Sequence, residues 1–391
     1  MLTPYDEFPV HQTSRPFSEI PSTDHSWDDG YFFGVYSAKE RVFLFTGIRI
    51  NANADIVGGY AGINHNGIQH TVRLSRTWRP DFATSIGPLS FRFVEPMRKI
   101  RLTLDDNDSD LQFDLTWDAL APPHEEAHHL ATNRSQPVTD QTRYTQGGTA
   151  AGQIRFRERT FEVVPLQWFG SRDHSWGLYA AREPLRPDPR WLPPPEVPAV
   201  RRALRFWLPF QTGDYSGFYH FHEDSAGRQL KMNDTFGTPF EGVIHHGFDG
   251  PVLRMASARH RLEFMPGTRA ISRGVVDLID EHGGAWQHVI EVASPPWSPA
   301  TIGYNVDGGS WRDGGSIATY HGPGVYLEHD EFDFSNPPYR ILNHQGKPMR
   351  PHGREHIAVV HSTDPVGRTA VGLGQLEFVC EGRYEPYGFE E

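Results

Sequence analysis

The stretch that decides the fold is Gly152–Gly177, GQIRFRERTFEVVPLQWFGSRDHSWG. Its first part alternates polar and apolar side chains, Ile154, Phe156, then Phe161 and Val163, on either side of the charged tetrad RERT. A two-residue period interrupted by a short polar run predicts a β-hairpin. The same alternation recurs in LSFRFVEP (89–96), IRLTL (100–104), LQFDLTW (111–117), LRFWLPF (204–210), SGFYHFHED (216–224), HRLEFMPG (260–267), QHVIEVAS (287–294) and VGLGQLEFV (371–379). With 38 Gly, 32 Pro and 13% aromatic residues, turns and strand formers crowd out long helices. The fold class is therefore all-β, many antiparallel strands in sandwiches or barrels. PPHEEAHHL (122–130) alone suggests a short helix.

The tetrapeptide DHSW occurs twice, at Asp24–Trp27 and Asp173–Trp176. Each copy is followed by an aromatic, small-residue stretch, which suggests a duplicated unit. At 391 residues two domains are expected. The polar segment from His124 to Gly148, ending in paired glycines, reads as a crossover, giving domains 1–150 and 151–391. The proline-rich segment 184–198 suits neither helix nor central strand and reads as an insert of the second domain.

Charge excludes one class of partner. Thirty-seven basic against 49 acidic side chains leave a net charge of −12, the wrong sign for tracking phosphates, so nucleic acid is set aside. A single cysteine, Cys380, allows no internal disulfide. The start MLTPYDEFPV has neither a basic nor an apolar signal region, and no apolar run spans a bilayer, so a cytoplasmic protein without stable membrane insertion is expected. A homodimer is compatible with all of this.

Three motifs carry a resemblance. The Gly152–Gly177 segment ending in RDHSWG, FDLTWDALAPP (113–123) and GLGQLEF (372–378) stand in the order seen in AttH-like proteins, the group that includes carotenoid hydratase (hydroxyneurosporene synthase). The sequence resembles that family over both halves. It departs in having Ser26 and Ser175 where an acidic residue usually separates His from Trp. The resemblance implies two tandem lipocalin-like antiparallel barrels with the ligand in or beside one barrel mouth. It also implies a lyase or isomerase (hydratase, dehydratase or cyclase) working on an apolar terpenoid, steroid-like or aromatic alkene with protein acids and bases, and neither metal nor organic cofactor.

Hydrating an alkene needs a proton donor of raised pKa, an aromatic face for the cation and a group to hold water. On an extended strand His174 and Trp176 share one face, Asp173 and Ser175 the other. The resemblance places His174 and Trp176 in the cavity, with Asp173 orienting a neighbour or pairing with Arg172. It matches the catalytic aspartate to Asp214 in TGDYSGFYH, with Asp234 in reserve. Tyr179, Trp207, Tyr219, Phe221, His220, His222 and Glu377 complete the expected lining, Glu377 needing a partner such as Arg182 or Arg205. Two alternatives stay open. A non-catalytic lipid or isoprenoid carrier uses the same cavity; a metal enzyme would use the His-x-His pair His220 and His222 with a third ligand from His245, His246 or His174. Trp27 reads as a structural barrel plug, and LDDNDSD (104–110) as a solvated hairpin turn.

Overall fold

The computed structural model describes residues 7, 19–79, 83–133, 135–179, 202–230, 239–304, 310–339, 342–343, 346–349 and 354–390. The proline-rich segment 184–198, Arg182 and Asp234 lie outside them. In chain order the strands are β1 (Trp27–Ser37), β2 (Val42–Asn51), β3 (Ile56–His65), β4 (Ile68–Thr77), β5 (Ser85–Ile86), β6 (Leu89–Glu95), β7 (Lys99–Leu104) and β8 (Leu111–Ala119). They continue with β9 (His124–Glu125), β10 (His129–Asn133), β11 (Gln136–Phe156), β12 (Arg159–Val163), β13 (Phe169–Tyr179), β14 (Leu204–Thr212), β15 (Ser216–Glu223) and β16 (Gln229–Leu230). The last are β17 (Phe240–His245), β18 (Val252–Phe264), β19 (Ile271–Asp280), β20 (Ala285–Val292), β21 (Tyr326–Asp333), β22 (Arg354–Thr363) and β23 (Thr369–Cys380). Among the described residues there is no α-helix.

These strands form the all-β chain that the alternation predicts, in the two lipocalin-like units that the resemblance implies. One is a curled open sheet in the order β21-β4-β3-β2-β1-β13-β11-β8-β7-β6-β5. The other runs β14-β23-β22-β20-β19-β18-β17-β15 and closes through β14–β15 pairing, with β16 appended to β15. Closure removes the free edges that an antiparallel sheet must otherwise protect.

The structure departs from the expected division at residue 150. β13, which carries the second DHSW, pairs with β1 and β11 in the open sheet, and the supposed crossover is largely the long strand β11. Its polar residues escaped the period-2 reading because they are satisfied inside the sheet: Gln146 Nε2 donates to the carbonyls of Met97 (2.9 Å) and Ala121 (2.7 Å). The expected short helix at 122–130 is replaced by β9 and β10, both paired to β11. β21, from late in the chain, pairs with β4 at the open sheet's edge. There Arg73 is fully buried, holding Glu328 at 2.8 Å and also bonding Asp330.

The paired DHSW copies are thus neighbours in one sheet and do not mark equivalent points of two barrels. Trp27 is only half-buried at the start of β1, so it is no plug. The fully buried indoles of the open sheet's core include Trp78, Trp117 and Trp168, and Trp117 lies where Cβ atoms at Gly148 and Gly170 would stand, 2.3 and 2.4 Å from its ring. The expected turn at 104–110 does join β7 to β8, with Asn107 Oδ1 accepting from Ser109 N at 2.8 Å.

Alternation sorts each strand's side chains between two cores. Tyr31, Phe33 and Val35 enter the open sheet's core, whereas Phe32 and Tyr36 join Phe43, Phe45, Trp297 and Ile357 in an apolar seam between the units. Leu204, Phe206, Leu208, Phe210, Tyr219 and Phe221 fill the closed barrel. At the seam, Trp297 stacks on Phe45 with ring centroids 4.1 Å apart. Trp297→Ala should cost about 3–5 kcal/mol, measured by chemical unfolding; a loss below about 1 kcal/mol would show that the seam is held by other contacts.

His288 sits inside the closed barrel against Phe210, with centroids 4.7 Å apart, and neither ring nitrogen has a partner. Burial lowers its pKa from 6.5 to about 3. A lowered folded value means that its contribution to stability is present above pH 6.5 and is lost as the pH falls toward 3. His288→Leu should therefore flatten the acid limb of the stability curve by about 1.4 kcal/mol per pH unit, as read by denaturant titrations at stepped pH. An unchanged acid limb would refute the assignment.

Candidate active site

A cavity of about 380 Å³ lies between the two units. The open sheet contributes Phe32, Arg49, His129, Ala131, Thr139, Arg143, Asp173 and Tyr179; the closed barrel contributes Arg205, Trp207, His220, His222, Glu355, Gln375 and Glu377, with Arg202 just ahead of β14. Trp297, Pro299 and Tyr304 come from the connection between β20 and β21. The expected site at one barrel's mouth is thus displaced to the seam, because the closed barrel's interior is filled by its own aromatic and aliphatic side chains.

The face choice on β13 also goes the other way from the resemblance-based expectation. Asp173 stands opposite Phe32 and His174 opposite Tyr31, so Asp173 faces the cavity and His174 the open sheet's core. His174 is fully buried, stacked on Tyr31 at 4.1 Å, with Nε2 2.7 Å from Asp29 Oδ1 and Nδ1 3.2 Å from the Tyr144 hydroxyl. Trp176 tilts against that imidazole at 5.0 Å. Neither residue lines the cavity. Asp214 does not either: it is exposed in the turn between β14 and β15, its backbone N–H donating to Thr212 Oγ1 at 3.2 Å. Tyr219 and Phe221 point into the closed barrel, as odd-numbered residues of β15, while His220 and His222 point out to the cavity. Tyr179, Trp207 and Glu377 line the cavity.

The adjacent aspartates Asp28 and Asp29 show how strictly the strand divides charge. Asp29 turns to His174, and Asp28 turns to the seam, where Arg49 Nη1 donates to it at 2.5 Å. Gly30 makes this possible, since a Cβ there would lie 2.6 Å from Arg49 Cζ. Arg49 Nη2 also donates to the Tyr304 hydroxyl at 3.2 Å, which in turn lies 3.2 Å from the Tyr60 hydroxyl.

Arg205 organises the barrel side. Its Nε and Nη2 donate to Glu377 at 2.7 and 2.6 Å, a bidentate pair, and its Nη1 donates to Nε2 of His220 (2.8 Å) and of His222 (3.1 Å). Both imidazoles thus accept through Nε2 and are neutral; burial first, then the Arg205 charge, pushes them well below the usual histidine range. The lone pairs that a metal would need are aimed at a guanidinium. Among the described residues no His, Cys, Asp and Glu group is arranged to hold a metal ion.

Glu355, absent from the sequence-based reading, is the residue this lattice surrounds. It is 6% exposed, directly across from Glu377 in the β22–β23 pairing. Burial, then the Glu377 charge, raises its pKa well above the carboxylate range; Asp173 adds to the rise, against the Gln375 hydrogen bond and the Arg205 charge. Glu355 is a neutral carboxylic acid facing the cavity. Gln375 orients it, donating Nε2 to Glu355 Oε2 at 3.0 Å while its Oε1 accepts from Ser171 across the seam. Asp173 has no hydrogen-bond or ion-pair partner among the described residues, and so presents a free carboxylate to the same space.

A sequence signal for Glu355 did exist. In REHIAVVHST (354–363) a glutamate shares its strand face with Ile357 and Val359, a charge in an apolar row. Nothing local says that the row lies under a second unit.

The model of the family described as family of unknown function (DUF8625) matches residues 2–390. The chain belongs to that family. No curated protein sequence matches it. Solved structures similar to it include kievitone hydratase from Nectria haematococca, at 10% identity and a TM-score of 0.43, covering 96% of this chain and 94% of that one. An AttH of Nitrosomonas europaea is similar at 10% identity and a TM-score of 0.48, with 92% and 96% covered. CghA in complex with Sch210972 also gives 10% and 0.48, with 91% and 88% covered. At such distances these likenesses assign no residue a role; the site's own geometry has to.

The raised Glu355 pKa has a sign that can be checked. Its neutral form is favoured in the fold, so its contribution to stability is complete below the ordinary value of 4.5 and is lost as the pH rises through the raised value. Glu355→Gln cannot ionise, so the variant should match the native protein near pH 4.5 and exceed its melting temperature at alkaline pH. Parallel curves at all pH values would show that Glu355 is ionised in the fold.

Proposed function

We propose that the protein is an acid–base enzyme of the hydratase, dehydratase, isomerase or cyclase type, acting on an apolar alkene bound between the two units. The observation that carries this reading is the pairing of a neutral buried acid, Glu355, with an unpartnered carboxylate, Asp173, in one aromatic-walled cavity. A buried acid favoured in its neutral form, beside a second carboxyl group with no partner among the described residues, supplies a proton donor and a group to accept a proton.

In the forward sense of hydration, Glu355 gives its proton to one alkene carbon and becomes a carboxylate. The resulting cation lies among the faces of Trp297, Phe32, Trp207 and Tyr304, whose ring quadrupoles favour positive charge. Water attacks the cation and Asp173 takes the released proton; a proton passed back to Glu355 through solvent restores the start. If Asp173 instead removes a proton from the carbon next to the cation, the outcome is isomerisation. Arg205 holds Glu377 ionised beside Glu355, which favours the neutral donor between turnovers.

Protonation at carbon leaves an isotopic trace whatever the net reaction. Incubation with a panel of terpenoid, steroid-like and aromatic alkenes in D2O should give carbon-bound deuterium, read by mass spectrometry. Glu355→Gln and Asp173→Asn should each lower incorporation by about 10²-fold or more. Retained exchange in Glu355→Gln would refute the donor. Tight binding of an alkene with no exchange in the native protein would favour the carrier reading.

A further inference from the structure

The cavity contains more guanidinium groups than it has carboxylates to match. Arg49 is paired with Asp28 at 2.5 Å, and Arg205 with Glu377 at 2.6 Å. Arg143 and Arg202 make no ion pair with a described residue. Among the described residues Arg143 has one hydrogen bond, a long one of 3.4 Å from Nη2 to Gln141 Oε1, and its buried Nε has no partner there. Arg202 has neither a hydrogen bond nor an ion pair among the described residues. Opposite these four arginines stand Asp28, Glu377 and Asp173, while Glu355 is neutral. The charges of Glu126 and Asp173 act on Arg143, but neither carboxyl hydrogen-bonds its guanidinium; burial pushes the Glu126 carboxyl upward, and Thr145 already hydrogen-bonds it.

The two unmatched arginines belong to one end of the cavity. Arg143 comes from β11 and Arg202 from the approach to β14, and the Tyr179 phenol is close enough to act electrostatically on both. A buried guanidinium without a carboxylate is costly unless something else supplies the charge. Its planar donor fork matches a carboxylate in two parallel hydrogen bonds.

We propose that Arg143 and Arg202 form a carboxylate-binding subsite, so that the substrate is an apolar, alkene-bearing molecule with one carboxylate head group. This rests on the reading of the cavity as the substrate site and narrows it. The head group is held at the Tyr179 end, and the hydrocarbon lies along Phe32, Trp207 and Trp297, within reach of Glu355. One carboxylate takes up the guanidinium donors that the described side chains leave unfilled, and gives the substrate a fixed direction in the cavity.

The test uses cis-parinaric acid, a fluorescent polyene carboxylate, and its methyl ester, which keeps the chain and loses the charge. The full-length protein should bind the acid at least about tenfold more tightly than the ester. Arg143→Gln/Arg202→Gln should weaken the acid to the affinity of the ester and leave the ester unchanged. Arg202→Gln alone should lose part of the discrimination, and removing an unpaired cation should not lower the melting temperature, which checks the fold. Equal affinities in the native protein, binding of neither probe, or discrimination that survives the double substitution would overturn the subsite. Because the readout is binding, lost discrimination with deuterium exchange intact overturns the subsite alone, and lost exchange with discrimination intact overturns the acid–base reading alone.

Discussion

The structure depends on burying both faces of β1 and β13. A strand at the edge of a domain can send its charges to water; these two cannot, because one face closes the open sheet's core and the other is roofed by the closed barrel. Most polar side chains on these faces therefore find a partner inside the protein, Asp173 at the cavity being an exception among the described residues. Asp28 with Arg49, Asp29 with His174, and Ser171 with Gln375 are the consequences, and each links elements far apart in sequence.

The same constraint generates the chemistry. Where the seam is apolar, Trp297, Phe45, Phe32 and Phe43 close it; where polar residues of the two walls meet, a cavity remains, bordered by arginines and carboxyl groups. In these low-dielectric surroundings the charge of Glu377, which is paired with Arg205, favours the form of Glu355 that keeps its proton. Gln375, satisfied on both sides, fixes the direction of that proton. A neutral carboxyl group is thus favoured by position rather than by residue type.

The closed barrel has a supporting role. Its lumen is packed by Phe206, Phe210, Phe221, Tyr219 and their neighbours, with ring contacts such as Phe206 on Phe221 at 5.1 Å. Functional side chains are displaced to its outer wall, at the even positions of β15 and the odd positions of β14, β22 and β23. Gly372 and Gly374 allow β23 to press against β14 there, since Cβ atoms would meet Gln211 O at 1.8 Å and Leu208 Cδ1 at 2.7 Å.

What the sequence determined by itself is local. Alternation in segments such as LRFWLPF and VGLGQLEFV, with Gly and Pro between them, dictated an all-β chain, and the odd–even rule divided every strand into two faces. It also marked Asp173, Trp207, His220, His222 and Glu377 as residues of interest, and paired Glu377 with Arg205 as one option. Which face of β13 lines the cavity, why Asp214 stays in solvent and why Glu355 is buried beside Glu377 were decided by tertiary structure alone. The reason is physical: periodicity says that two faces differ, but only the packing of the second unit says which face is dry, and a carboxyl group's protonation depends on that dryness and on charges brought from other strands.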